Sequence, residues 1–213
     1  NIISCKHTRT IDYDYDLDEY YTIKSGTSMS TPLVAGIAAL IKQAHPNWTT
    51  EEIKSALIST GTLLENRTTW VSSVITPATI LEQGGGLVNA TKAVNAEVLP
   101  IPASLSFRFV VPGDPVSMNS TLKVINPAVT SITVKEAVLR YINFTTQTTP
   151  KGTDLIVNNL VDMSAYIAAQ VVKVNSDYNL TVTISLPEDA YEGLYDGYVV
   201  LETNTGYEFH VVL

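Results

Sequence analysis

The chain has 213 residues, 45% of them apolar and 16% charged, and its 13 basic and 21 acidic side chains leave a formal net charge of −8. That is enough apolar chain for one large domain or two small ones. With no basic cluster anywhere, nucleic acid and anionic membrane are excluded as partners of an electrostatic binding module. No apolar run reaches the roughly 18 residues of a membrane span, and residues Asn1 to Cys5 lack the basic-then-apolar layout of a signal peptide, so no span is predicted and the targeting signal is expected elsewhere. Cys5, the single cysteine, forms no internal disulfide. Asn-x-Ser/Thr recurs at Asn47, Asn66, Asn89, Asn119, Asn143 and Asn179, against roughly three by chance, which favours an extracellular or cell-surface glycoprotein. The glycosylation candidates are Asn47, Asn66, Asn119, Asn143 and Asn179.

The first residues, Asn1 to Ser4, read as the end of a strand. A polar stretch follows in which Asp12, Asp14, Asp16 and Asp18, with Glu19, alternate with Tyr13, Tyr15 and Leu17. On a strand this alternation gathers the carboxylates on one face, where repulsion favours either a cation or full solvation. Calcium is the structural ion such oxygen ligands would take, although the glycine and terminal glutamate of an EF-hand are absent.

From Thr27 to Ala44 the sequence TSMSTPLVAGIAALIKQA carries no charge until Lys42, which predicts a central helix buried on most of its faces. Pro46 ends it. Thr49 and Glu52 then form a Thr-x-x-Glu capping box ahead of Ile53, Ala56 and Leu57, the apolar face of a second helix. A Thr-rich loop runs through Trp70 and Pro77. The run Gly84-Gly85-Gly86 marks a close backbone approach, and Asn89 is placed to cap a short third helix.

Beyond Pro100 and Pro102 the chain changes to short segments rich in Val, Ile, Thr and Tyr: SLSFRFVV, STLKVIN, ITVKEAVLRYI, AAQVVKV, NLTVTISL, YDGYVVLE and YEFHVVL. Separated by Pro, Gly, Asn and Asp, they predict an antiparallel β-sandwich of about seven strands. The boundary is expected near Val98, giving domains 1–97 and 98–213.

At Gly26-Thr27-Ser28-Met29-Ser30-Thr31-Pro32 a polar loop turns into the apolar helix, which puts Ser28 at the helix amino terminus. Free N–H groups and the positive end of the helix dipole there can stabilise charge on a carbonyl oxygen under attack. Small neighbours Gly26 and Thr27 let a substrate backbone come close. A serine that merely caps a core helix satisfies the same local pattern.

The string GTSMSTP, followed by VAGIAALI, then HPNWTTEEIKSAL, then GGGLVNATKAV, resembles the subtilisin-like serine protease family in order and spacing over residues 1 to 97. The resemblance implies that Ser28 is the nucleophile of a serine endopeptidase, that its N–H is an oxyanion donor, and that Gly26 and Thr27 are substrate-binding. It implies the last part of an α/β, parallel-sheet catalytic domain. The all-β antiparallel sandwich after it, especially in EGLYDGYVVLETNTG before the final strand, resembles the fibronectin-type-III-like domains that follow the catalytic domain in larger secreted subtilases. No cofactor is required by that chemistry.

In family order the Asp, the His and the oxyanion Asn precede the serine. The expectation is therefore that an amino-terminal part of the same protease, linked or as a separate chain, supplies them and that residues 1–97 do not fold alone. His7, His45 and His210 lack the family's His-Gly-Thr context, and Leu33 stands where many members place histidine. Peptide or protein substrates are implied. The alternative is a non-catalytic structural or surface-layer component that kept the fold. An esterase is disfavoured because Ser30 stands where Gly-x-Ser-x-Gly requires glycine.

Overall fold

The structure, a computed structural model, describes residues 2–5, 21–64, 67–69, 72–76, 78–149 and 152–213. The chain resolves into two compact units, Asn1–Pro46 and Asn47–Leu213. They divide at Pro46, whereas the change in composition lies near Val98.

In the first unit β1 (Ile2–Cys5) pairs antiparallel with β2 (Tyr21–Lys24), Ile2 opposite Lys24 and Cys5 opposite Tyr21. Helix α1 covers Thr27–Ala44, the limits expected from the sequence. Its expected burial is not found: Ile41 is its one buried residue, and Leu33 and Leu40 are 52% and 53% exposed. The physical reason is that a helix apolar on all sides needs neighbours on all sides, and the described residues of this unit otherwise offer one two-stranded ladder.

The second unit begins with α2 (Thr50–Ser59), opened by the predicted capping box: Thr49 Oγ1 accepts from Glu52 N at 3.3 Å and Glu52 Oε2 from Thr49 N at 2.6 Å. Then come the hairpin strands β3 (Arg67–Thr69) and β4 (Ser72–Thr76), α3 (Ile80–Gln83), and α4 (Ala90–Val94), where Asn89 Oδ1 accepts from Lys92 N at 2.9 Å. The predicted loop after α2 thus contains a hairpin and a helical turn that the sequence reading missed.

Strands β5 (Val98–Ile101), β6 (Val116–Val124), β7 (Ile132–Thr149), β8 (Gly152–Asp162), β9 (Ile167–Val174), β10 (Asp177–Ile184), β11 (Leu194–Thr203) and β12 (Glu208–Val212) follow. They form two four-stranded sheets in the orders β5-β6-β10-β9 and β12-β11-β7-β8. Every ladder in them is antiparallel, and Leu122, Leu180, Val182, Leu201, Phe209 and Val211 from both sheets share one buried core. Strict alternation along β10, buried at Tyr178, Leu180, Val182 and Ile184, is what a sheet with one face on a core requires.

Helices α2 and α3 pack on these sheets. Helix α2 sits by β5, with Ser55 Oγ donating to the Pro100 carbonyl at 2.6 Å and buried Glu52 paired with Lys123 of β6. Its buried stripe is Glu52, Ser55, Ala56 and Ser59, with Ile53 and Leu57 half-buried, so contact is made by small and paired polar groups more than by the expected apolar face. Gly85 and Gly86 make the predicted close approach, whereas a Cβ on Gly84 would meet open space. A Cβ on Gly85 would lie 2.7 Å from the Ile58 carbonyl oxygen and 3.0 Å from Ile58 Cα, backbone that cannot yield. Gly85→Ala is expected to cost about 1–3 kcal/mol, read as a lower urea midpoint at unchanged slope.

Candidate functional site

The chain leaves β2 and turns through Gly26, whose φ of 146° suits glycine alone, before α1 starts at Thr27. Ser28 is therefore the second helical residue. The Gly26 carbonyl accepts from Met29 N at 3.0 Å and Ser30 N at 3.2 Å, so the N–H groups of Thr27 and Ser28 precede the ladder, as the first amides of any helix do. Pro32 has no N–H to give the Ser28 carbonyl, yet the helix continues through it.

The hydroxyls of this turn are not equivalent. Thr31 Oγ1 donates to the Thr27 carbonyl at 2.8 Å and Ser30 Oγ to that of Gly26 at 3.4 Å. Ser28 is exposed, and its hydroxyl has no hydrogen-bond partner among the described residues. Exposed Gly26 and Thr27 stand beside it. A free hydroxyl at the positive end of an 18-residue helix has the elements of a nucleophile with an adjacent oxyanion donor, lacking a base.

The described histidine of this unit does not serve Ser28 as a base. His45 is the C-cap of α1, and 17 residues at about 1.5 Å each put it roughly 25 Å along the helix from Ser28. His7 and the carboxylates Asp12, Asp14, Asp16 and Asp18 lie outside the described residues, as does Asn66. Among the described residues no three His, Cys, Asp or Glu side chains are grouped to hold a metal ion, and no helix is long and apolar enough to cross a membrane. Of the other glycosylation candidates, Asn47 and Asn119 are exposed, Asn143 and Asn179 half-buried.

His210, on β12, is 5% exposed against the triple-glycine turn, and its Nε2 has no hydrogen-bond partner. Burial pushes its pKa down from 6.5 to about 4; Lys92 acts in the same sense, and the carbonyls of Gly85 and Ile58 oppose. The folded protein holds His210 neutral while the unfolded chain takes up a proton below about pH 6.5. Stability is therefore full above that pH and falls as pH drops towards 4, by about 2 kcal/mol between pH 7 and 5. Urea midpoints at the two pH values should show this drop, and His210→Asn should flatten it.

The sequence reading also missed the Arg140–Asp196 pair. Arg140 and Asp196 are buried, with Arg140 Nε donating to Asp196 Oδ1 at 3.0 Å and Ile80 N donating to Oδ2 at 2.5 Å. The available signal was an Asp inside the apolar run YDGYVVLE.

Residues 4–92 match the model of the subtilase family. The chain is 45% identical over 75 residues to the subtilisin-like protease SBT1.2 of Arabidopsis thaliana, covering 35% of this chain and 10% of that protein. It is 43% identical over 91 residues to SBT3.1 of the same plant, covering 41% and 12%. It is 36% identical over 107 residues to the minor extracellular protease Vpr of Bacillus subtilis (strain 168), covering 50% and 12%. The chain thus spans about a tenth of the length of these relatives, and the matched segment is subtilisin-like.

Proposed function

We propose that this chain is the nucleophile-bearing part of a secreted serine endopeptidase in which Ser28 attacks the peptide carbonyl and carries the acyl group until water releases it. The observation that carries the reading is the free, exposed Ser28 hydroxyl at the start of α1, inside the segment that matches the subtilase family. Neither the Met29 thioether nor a backbone amide is basic enough to take the proton from Ser28. The base, its Asp and the oxyanion Asn come from an amino-terminal part of the same protease, linked or as a separate chain. The exposed apolar residues Leu33, Val34 and Leu40 of α1 support such a neighbour.

Residues 1–97 are then the last part of the catalytic domain, and residues 98–213, with their two sheets around one core, a fibronectin-type-III-like sandwich. Peptides or proteins are the substrates. The sequons, and the word extracellular in the name of one relative, support a location outside the cell. The test is labelling of the full-length protein with a fluorophosphonate. Labelling that disappears in Ser28→Ala supports the protease; an intact, folded protein that never labels supports the non-catalytic alternative.

A further inference from the structure

Between β5 and β6 the chain runs extended along the core. Ala103 and Leu105 are buried and Phe107 packs inward, but the next inward residue is Val110, not Phe109. The alternation switches at Arg108, whose φ is 55°, a left-handed conformation unfavourable for a side-chain-bearing residue. Its effect is to turn Phe109 into water, where it is 94% exposed. Local strain and the exposure of a large aromatic side chain both oppose folding, and both serve to present one ring.

The loop that carries Phe109 is tied to a second loop. The Gly113 N–H donates to the Leu186 carbonyl at 2.9 Å, which holds the loop 106–115 against the loop 185–193 and the start of β11 at Leu194. There Tyr191 is stacked on Tyr141 at 5.1 Å, and its carbonyl accepts from the Tyr195 hydroxyl at 2.7 Å. This leaves Tyr191 and Leu194 exposed, as Val111 is on the first loop. The two loops carry exposed Asp114, Glu188, Asp189 and Glu192 against one cation, Arg108.

We propose that this end of the sheets is a docking surface for a partner polypeptide bearing Lys or Arg beside apolar residues, with Phe109 as its anchor. The carboxylates select a cationic partner and oppose an acidic one, while large aromatic side chains, Phe among them, are enriched at the buried centres of interfaces. An anionic lipid surface is repelled by the same charges. The surface is formed by residues 106–115 and 185–194, so the proposal does not depend on the protease reading.

The test uses the full-length protein with Ser28→Ala, so that no peptide is cut, and two fluorescent 12-residue probes, one alternating Lys with Leu and Trp, the other Glu with Leu and Trp. Anisotropy should show the Lys probe binding and the Glu probe not. Phe109→Ala should weaken the Lys probe at least tenfold with the urea midpoint unchanged. Asp189→Lys with Glu192→Lys should weaken it at least tenfold and remove its salt dependence. Failure of the Lys probe to bind, or equal affinity in Phe109→Ala, overturns the proposal. So does a Phe109-dependent dimer in sedimentation, which would assign the surface to a second copy. Phe109-dependent binding to phosphatidylcholine vesicles would assign it to lipid and equally overturn it.

Discussion

If Ser28 is the nucleophile proposed above, Ser28→Ala in the full-length protein is expected to lower kcat for peptide hydrolysis by about 10⁴- to 10⁶-fold with little change in KM, because the proposed acyl-accepting hydroxyl is removed while substrate contacts remain. Ser30→Ala and Thr31→Ala are the controls that make this specific. Their hydroxyls are engaged by the Gly26 and Thr27 carbonyls, so their removal should change kcat less than tenfold. If Ser30→Ala were as damaging as Ser28→Ala, the local geometry of α1 would be the sensitive feature and not the nucleophile. Single-turnover kinetics with an activated ester separates the two: loss of the acyl burst belongs to Ser28 alone.

The limits of α1 were legible because breakers stand at both ends: Gly26 needs a positive φ, and Pro46 follows the His45 cap. The starts of α2 and α4 were legible for a similar reason, since a side-chain cap is a local signal that survives any tertiary context. Thr79-Ile80-Leu81-Glu82 carries the same signature, and Thr79 does cap α3, but a four-residue helix is too short for periodicity to point to it. Strand β5 was hidden by Pro100, which is tolerated because β5 is an edge strand. The segment SLSFRFVV reads as a strand yet pairs only at Ser104, because the left-handed turn at Arg108 breaks its alternation. The exposure of α1 was not legible at all. Composition states that a helix wants neighbours on all sides, not whether the chain supplies them.

Removal of one member of the Arg140–Asp196 pair is expected to destabilise the protein by about 3–5 kcal/mol, since the other charge would remain buried without its partner. The pair lies at 7% and 3% exposure, and Asp196 also accepts from the Ile80 N–H that begins α3. Burial raises the Asp196 carboxyl above its ordinary pKa although Arg140 and the Ile80 N–H both act to lower it. Desolvation therefore outweighs attraction: at neutral pH the ionised carboxylate is worse off here than in the unfolded chain, and that cost disappears as pH falls through its folded pKa. A pair whose charges are not a net gain should be replaceable. Arg140→Met with Asp196→Leu should recover most of the loss of either single variant, leaving about 1–3 kcal/mol for the Ile80 N–H deprived of its acceptor. Urea unfolding of the two single variants and the double variant reads the coupling directly. Additive losses would mean that the two side chains stabilise the fold independently. Recovery in the double variant would mean that their chief contribution is to satisfy each other, with Asp196 also holding residues 79–83 against β11.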